Sequence, residues 1–455
     1  MSAVALLLRE AGWEISGSDE GFYPPVSDYL AKAHIDFAEG YKKGNIPADA
    51  TLIVIGKNAK LVPESNEEVA AAFASGIPVK SFPDVLDELT QGKETLVVAG
   101  SYGKSTCTAL LAHCLMHASK DPSYFIGEIT KGFDAHAHLG KGPSFVLEGD
   151  EYPSANWDES SKFLHYNPRN LLLTSATHDH VNVYPSHEEY LAPFKKLLAL
   201  LPAEGMLVVN TERYAQALAQ DYAGHTVSYG TGASALWHPS NIAYGMPTTF
   251  DLMRGKEEII SISTSLLGAH NIENIVGISA LLLEKELVTP QELAAAVATF
   301  KGVKRRMESL APRSRIPVYE GFGSSYEKAR AAIAAMRLHF PDRKLMVVFE
   351  PHTFTWRNRS ALYQYDNVFS GIEKVFIYDP ATQGAASHAQ LSQDEIVARV
   401  QAAGVKAEAI HSEKDGLKGL ERELKKDSAV LLLTSGELGG LIKSIPQLAE
   451  RKFPA

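Results

Sequence analysis

The stretch LVVAGSYGKST at residues 96–106 constrains this chain more than any other part of it. Residues 96–99 are apolar in unbroken succession, which reads as a buried strand, and residues 105–117 carry apolar side chains at helical spacing. Between them lies a turn framed by Gly100 and Gly103. A strand, a glycine turn and a helix N-terminus make a cradle whose backbone N–H groups point at anionic oxygens. There Lys104 can reach the β/γ-phosphates of a nucleotide, and the Ser105 hydroxyl can ligate the Mg²⁺ that travels with ATP. Val98 stands where the standard P-loop has its first glycine, so a generic kinase or GTPase is disfavoured. An ordinary glycine turn is the plainer alternative, and the adjacent Gly-Lys-Ser-Thr weighs against it.

At 455 residues the chain has room for about three domains of ordinary size, each able to bury a core. Its 45% hydrophobic and 22% charged residues are those of a globular protein without long disordered tracts. A net charge of -10 gives no support for nucleic-acid binding, and no apolar stretch is long enough to suggest a membrane span. Cys107 and Cys114, seven apart on the helix after the phosphate loop, are better suited to packing than to a disulfide or a metal site, as expected for the cytoplasm.

Residues 3–9 read as a helix ended by Gly12, and residues 14–18 lead into Gly17-Ser18-Asp19 like the second strand of a dinucleotide-type fold. The first strand of such a fold, with its glycine loop, has no counterpart here, so the natural protein is expected to extend upstream of Met1. Short β runs and helical stretches alternate up to about Gln91, giving an α/β domain over residues 1–92. A central α/β domain of the P-loop ATPase type is expected over 93–311. It has strands at 145–147, 171–174 and 206–210, hairpins between 230 and 268, and helices at 271–286 and 290–300. After a basic, proline-bearing connection at 304–317, strands at 317–319, 345–349, 375–378 and 430–433 alternate with helices at 326–339, 393–403 and 416–425. That pattern predicts a third, Rossmann-like parallel-sheet domain over 312–455.

Two polar groups follow strands of the central domain, where open parallel sheets bind their ligands. Glu148-Gly149-Asp150-Glu151-Tyr152 follows the strand at 145–147, and His178-Asp179-His180 follows the strand at 171–174. Carboxylate and hydroxyl oxygens suit Mg²⁺, and imidazole is a permissible ligand at a second site. Either group alone reads more readily as a solvated loop than as a metal site; the phosphate loop upstream reverses that preference. Later, Asn271 and Asn274 are spaced to share one side of a helix, for capping or for contact with a nucleobase.

These residues resemble the Mur ligase family, the ATP-dependent amide ligases of peptidoglycan assembly. GSYGKST is similar to the family's phosphate loop, with Gly100, Ser101, Gly103, Lys104, Ser105 and Thr106 as the nucleotide-binding positions. The E-x-D-E segment at Glu148–Glu151, the Asp179-His180 pair, the H-N-x-x-N at 270–274 and the R-x-E at 306–308 match as well. The flanks EGDEYPSANWDESSKFLHYNPRNL, FEPHTFTWRNR and SGELGGLIK look most like the branch that joins UDP-N-acetylmuramate to a recycled L-alanyl-γ-D-glutamyl-meso-diaminopimelate tripeptide. The sister branch that adds L-alanine resembles them less, and a relative that binds nucleotide without catalysing is a third reading.

The resemblance implies that ATP phosphorylates the lactyl carboxylate of UDP-N-acetylmuramate and that the acceptor amine attacks the acyl phosphate. It implies catalytic roles for Lys104, Glu148 and His180, with Ser105, Glu148 and His180 as Mg²⁺ ligands. Asn271 and Asn274 are matched to adenine, Arg306 to nucleotide phosphate, and Ser18 and Asp19 to the uridine nucleotide. Arg357 and Arg359 are expected to pair with peptide carboxylates. Two departures stand out: Tyr102 replaces the phosphate-loop histidine of the muramate ligases, and Glu320–Tyr326 lacks the histidine pair usual in the third domain.

Overall fold

The computed structural model describes residues 1–23, 26–180, 183–381 and 389–455. It divides into two compact units, the first holding residues 1–242, 249–264 and 272–301, the second holding 243–248, 265–271 and 302–455.

The first unit opens with α1 (Ser2–Glu10), β1 (Ser16–Asp19), α2 (Val26–Lys32), β2 (Asp36–Glu39), β3 (Ile53–Ile55), α3 (Glu67–Ala74), β4 (Val79–Ser81) and α4 (Phe82–Thr90). The strands pair in parallel as two separate ribbons, β1 with β2 and β3 with β4. Local chemistry starts the helices: the Asn66 side chain accepts from the first N–H groups of α3, and Ser81 with Asp84 forms a capping box on α4.

The chain continues through β5 (Glu94–Ala99), α5 (Lys104–His117), β6 (Ser123–Phe125), β7 (Ala137–His138), β8 (Ser144–Glu148), β9 (Asn170–Leu173) and α6 (His187–Ala199). It goes on with β10 (Met206–Asn210), α7 (Arg213–Ala219), β11 (His225–Tyr229), β12 (Trp237–Ala243), β13 (Thr248–Arg254), β14 (Glu257–Thr264), α8 (Ala269–Glu284) and α9 (Pro290–Thr299). The strands form one ten-stranded sheet in the order β14-β13-β12-β11-β10-β9-β5-β8-β6-β7. β5 lies between β8 and β9, parallel to both, so the phosphate loop leaves the middle of the sheet beside the ends of its two neighbours. Val97, Ala99, Leu147, Leu171 and Leu173 face one core with Phe163, Tyr190 and Phe194, and Ala3 and Leu7 of α1 and Leu86 of α4 share that core. This shared burial makes residues 1–92 part of the same compact unit as the large sheet. Both cysteines are buried and free on α5, as their spacing implies.

The second unit contains β15 (Arg306–Ser309), β16 (Val318–Gly321), α10 (Tyr326–His339), β17 (Lys344–Phe349), α11 (Phe354–Arg357), β18 (Lys374–Tyr378) and α12 (Gln393–Ala402). It ends with β19 (Ala407–Ile410), α13 (Glu413–Glu423), β20 (Ser428–Leu433) and α14 (Leu441–Lys452). Its sheet runs β15-β16-β20-β17-β18-β19 and is parallel apart from β15. Strand alternation divides its core: Val347, Phe349, Leu431 and Leu433 face one side with Trp356 and Ile396, while Met346, Val348, Val430 and Leu432 face the other with Leu420 and Ile445. Part of the connection expected at 304–317 is strand β15, bulged between Arg306 and Glu308. It adds to the sheet because antiparallel pairing with β16 satisfies its backbone.

Candidate active site

The glycines of the phosphate loop are required by close approach. Gly100 has φ +135°, and a Cβ there would stand 2.3 Å from Thr174 Oγ1 and 2.7 Å from the Ser175 carbonyl. Gly103 has φ +84°, and a Cβ there would stand 2.5 Å from Asn274 Oδ1. The wall opposite the loop follows β9: Thr174 Oγ1 donates to the Tyr102 carbonyl at 2.5 Å, and Tyr102 N–H donates to Ser175 Oγ at 3.2 Å. Ser101, buried, donates to the Thr177 carbonyl and accepts from Tyr190 Oη at 2.9 Å. With its backbone fixed in this way, the loop leads directly into the N-terminus of α5, the position at which helices receive phosphate oxygens. Thr106 follows, half-buried, on the first turn.

Lys104 Nζ donates to the Gly100 carbonyl at 2.7 Å and to both Glu151 oxygens, at 3.2 and 2.9 Å. Glu151 also faces His180, whose Nε2 lies 3.1 Å from Oε1, and Tyr152 Oη lies 2.9 Å from His180 Nδ1. Burial works to raise the Glu151 carboxyl, but the Lys104 charge and the His180 hydrogen bond outweigh it and hold Glu151 far below the ordinary range. Burial likewise works to lower Lys104, and the Glu151 carboxylate more than compensates, leaving the ammonium group raised.

Ser105 Oγ donates to Glu148 Oε1 at 2.7 Å, and the other Glu148 oxygen accepts Gly127 N–H at 2.7 Å. Burial pushes the Glu148 carboxyl up, opposed by those two hydrogen bonds and by Lys104. A hydroxyl and a carboxylate in contact beside a phosphate cradle form the oxygen donor set that a small hard dication takes together with waters and phosphate oxygens, so these residues fit Mg²⁺. Among the described residues no three His, Cys, Asp or Glu side chains converge as a metal cage. The three expected ligands fall into two groups, Ser105 with Glu148 and His180 with Glu151.

Glu151, to which the sequence motif alone attaches no role, is the side chain on which the lysine and the histidine meet. Its signal is the second glutamate of the segment, three residues after Glu148 and beyond a strand end. Asn274 stands against Gly103, and Asn271, also buried, donates from Nδ2 to the Leu267 carbonyl at 2.8 Å.

On β1, Ser18 Oγ donates to Glu68 at 2.6 Å, and Asp19 Oδ1 accepts Tyr41 Oη at 3.0 Å. Burial and the hydrogen bond to Asp19 push the Tyr41 phenol up to about 12. A cavity of about 560 Å³ opens there, lined by Glu20, Gly40, Tyr41, Ser65, Asn66 and Glu67.

In the second unit Arg306 lies over the Phe322 ring, 4.3 Å from its centroid. Glu320 binds Arg305 at 2.6 Å, Ser325 caps α10, and the Ser324 carbonyl accepts Thr353 Oγ1 at 2.8 Å. The residues replacing the usual histidine pair therefore begin a helix and fasten a loop. Arg357 is buried, its guanidinium donating to the Thr353 and Ala381 carbonyls. Arg359 makes a two-point pair with Glu395 and donates to the Gln390 carbonyl.

Comparison with known proteins identifies the family. A model of the Mur ligase family catalytic domain matches residues 1–94, and a model of the Mur ligase middle domain matches residues 98–282. The UDP-N-acetylmuramate–L-alanyl-γ-D-glutamyl-meso-2,6-diaminoheptandioate ligase of Escherichia coli K12 is 28% identical over 386 residues, 84% of this chain and 83% of that protein. The UDP-N-acetylmuramate–L-alanine ligase of Paenarthrobacter aurescens is 32% identical over 360 residues, 78% of this chain and 75% of that protein. Among solved structures, the tripeptide ligase from Neisseria meningitides superposes with a TM-score of 0.62 at 29% identity, covering 67% of this chain and 96% of that one. The UDP-N-acetylmuramate-alanine ligase from Thermotoga maritima has the same fold, with a TM-score of 0.76 at 21% identity over 99% of this chain and 96% of that one. The chain belongs to the Mur ligase family and is an ATP-dependent, amide-forming ligase with that family's three-domain α/β fold.

Proposed function

We propose that this ligase joins UDP-N-acetylmuramate to the tripeptide L-alanyl-γ-D-glutamyl-meso-diaminopimelate in peptidoglycan recycling, working in the cytoplasm. The observation that carries the reading is the meeting of Lys104, Ser105, Glu148, Glu151 and His180 at the ends of three adjacent strands. A carboxylate is a poor electrophile, and ATP with Mg²⁺ supplies the phosphoryl group that activates it. The residues of this chain bind and orient: the Gly100–Thr106 backbone and Lys104 receive phosphate oxygens, Ser105 and Glu148 would hold a first Mg²⁺, and His180 would serve a second. Glu151 keeps the ammonium group charged and in place until phosphate takes over as its partner. Arg306 is assigned to nucleotide phosphate, Asn271 and Asn274 to adenine, and Ser18 and Asp19 to the uridine nucleotide. Arg357 and Arg359 are assigned to the peptide acceptor, with residues 1–92, 93–311 and 312–455 as the three functional domains.

The choice of tripeptide rests on the flanking segments around Glu148–Leu171 and Phe349–Arg359 and on the Escherichia coli relative. Addition of free L-alanine is the second reading, supported by the Paenarthrobacter aurescens relative. A product-mass assay with UDP-N-acetylmuramate, ATP, Mg²⁺ and either acceptor decides between them. Amide product with tripeptide and none with L-alanine is the expected result, and the reverse overturns the assignment.

A further inference from the structure

His339, the last residue of α10, spends both ring nitrogens on the backbones of two other segments. Gly268 N–H donates to Nε2 at 2.9 Å, and Nδ1 lies 3.1 Å from the Gly245 carbonyl, to which it must donate. One accepting and one donating nitrogen describe a neutral imidazole with its proton on Nδ1. The segments it holds, 243–248 and 265–271, belong to the same compact unit as 302–455, although each is flanked in sequence by residues of the other unit. The Gly268 backbone lies directly on α10: φ is +94°, and a Cβ there would come within 2.7 Å of Ala335 and 2.8 Å of the His270 ring. The Tyr244 ring meets His339 edge-on at 5.6 Å. Asn271 is built on the same turn, its N–H donating to the Gly268 carbonyl at 3.1 Å and its side chain to the Leu267 carbonyl.

We propose that His339 is a positioning residue for nucleotide binding: it pins the turn at Gly268 to the end of α10 and so fixes the orientation in which Asn271 meets the nucleotide. The proposal rests on the nucleotide-binding reading above. No sequence pattern announces it, because His339 is 71 residues from Gly268 and 94 from Gly245. Burial holds His339 below the ordinary histidine range, which keeps the neutral form that the two hydrogen bonds need.

The test is calorimetric titration of the full chain with ADP and Mg²⁺, alongside thermal unfolding, for wild type, His339→Ala and His339→Gln. His339→Ala removes both hydrogen bonds, and loss of the one that holds the Gly268 turn predicts an ADP Kd weaker by about three- to tenfold. His339→Gln, whose amide can both accept and donate, should recover at least half of that loss. A role in stability alone would lower the melting temperature of His339→Ala and leave its ADP Kd unchanged, which overturns the proposal, as does a glutamine variant no better than alanine. If His339→Ala does not fold, the glutamine variant decides through amide exchange over residues 265–271. Exchange faster than wild type together with weaker ADP binding supports the proposal; faster exchange with unchanged binding, or unchanged exchange, overturns it. A wild-type chain that binds no ADP refutes the nucleotide reading and this inference with it. A wild type that binds ADP while the variants match it refutes this inference alone.

Discussion

Lys104 Nζ lies 2.9 Å from Oε2 of Glu151, a carboxylate with no solvent exposure, and the same carboxylate receives His180 at 3.1 Å. The phosphate-loop lysine is thus held by a buried counter-ion whose geometry sets both its position and its charge. Removing one partner of such a pair leaves an uncompensated buried charge, which costs far more than the pair itself contributes.

Lys104→Met should therefore abolish ligation and also destabilise the fold, by about 3–5 kcal/mol. Adding Glu151→Gln should restore most of that stability without restoring activity. Urea unfolding with a product assay on both single variants and the double variant checks this. A single Lys104→Met variant as stable as wild type would show that the pair is not insulated from water.

Glu148→Gln keeps size and hydrogen bonding and removes a charge that burial already disfavours. Stability should change by less than about 1 kcal/mol. The Mg²⁺ concentration for half-maximal ATP turnover should rise on the order of tenfold or more. An unchanged Mg²⁺ titration would return Glu148 to an ordinary buried acid.

His270 is held neutral by burial, reinforced by the nearby His339, with its titration lowered to about 4 from 6.5. As pH falls from 6.5 toward 4, the unfolded chain takes up a proton that the folded chain does not. Stability from this residue is therefore present above pH 6.5 and is lost on acidification, at up to about 1.4 kcal/mol per pH unit. His270→Gln should flatten the stability profile over that window. Denaturant midpoints for both proteins at several pH values measure it, and parallel profiles would contradict the assignment.

Arg357 and Arg359 differ in what they can give to an acceptor. Arg357 is buried on two carbonyls, so Arg357→Ala should cost about 1–3 kcal/mol of stability. Arg359 is exposed and paired with Glu395, so Arg359→Ala should leave stability nearly unchanged. A rise in the acceptor KM with an unchanged ATP KM in Arg359→Ala supports a carboxylate contact. No change in either KM leaves Arg359 as a surface pair.

The sequence by itself determined what local patterns encode. Strand β10 at Met206–Asn210 and helix α10 at Tyr326–His339 fall where their periodicity predicts, and the strand, glycine turn and helix of the phosphate loop fall within a residue or two of it. Alternation over two residues, recurrence over three or four, and caps such as Ser81 with Asp84 act between near neighbours, so they survive without knowledge of the fold. Ser105 with Glu148 was legible as two members of one motif set. The tertiary structure alone decided that Lys104 pairs with a carboxylate 47 residues away. It also turned part of a basic connection into β15, joined α1 and α4 to the core of the large sheet, and placed His339 on two distant turns. Each of these follows from desolvation. A buried charge needs a counter-charge, a strand edge needs a partner for its N–H and C=O groups, and a helix face must find another apolar surface. Packing supplies those partners from anywhere along the chain.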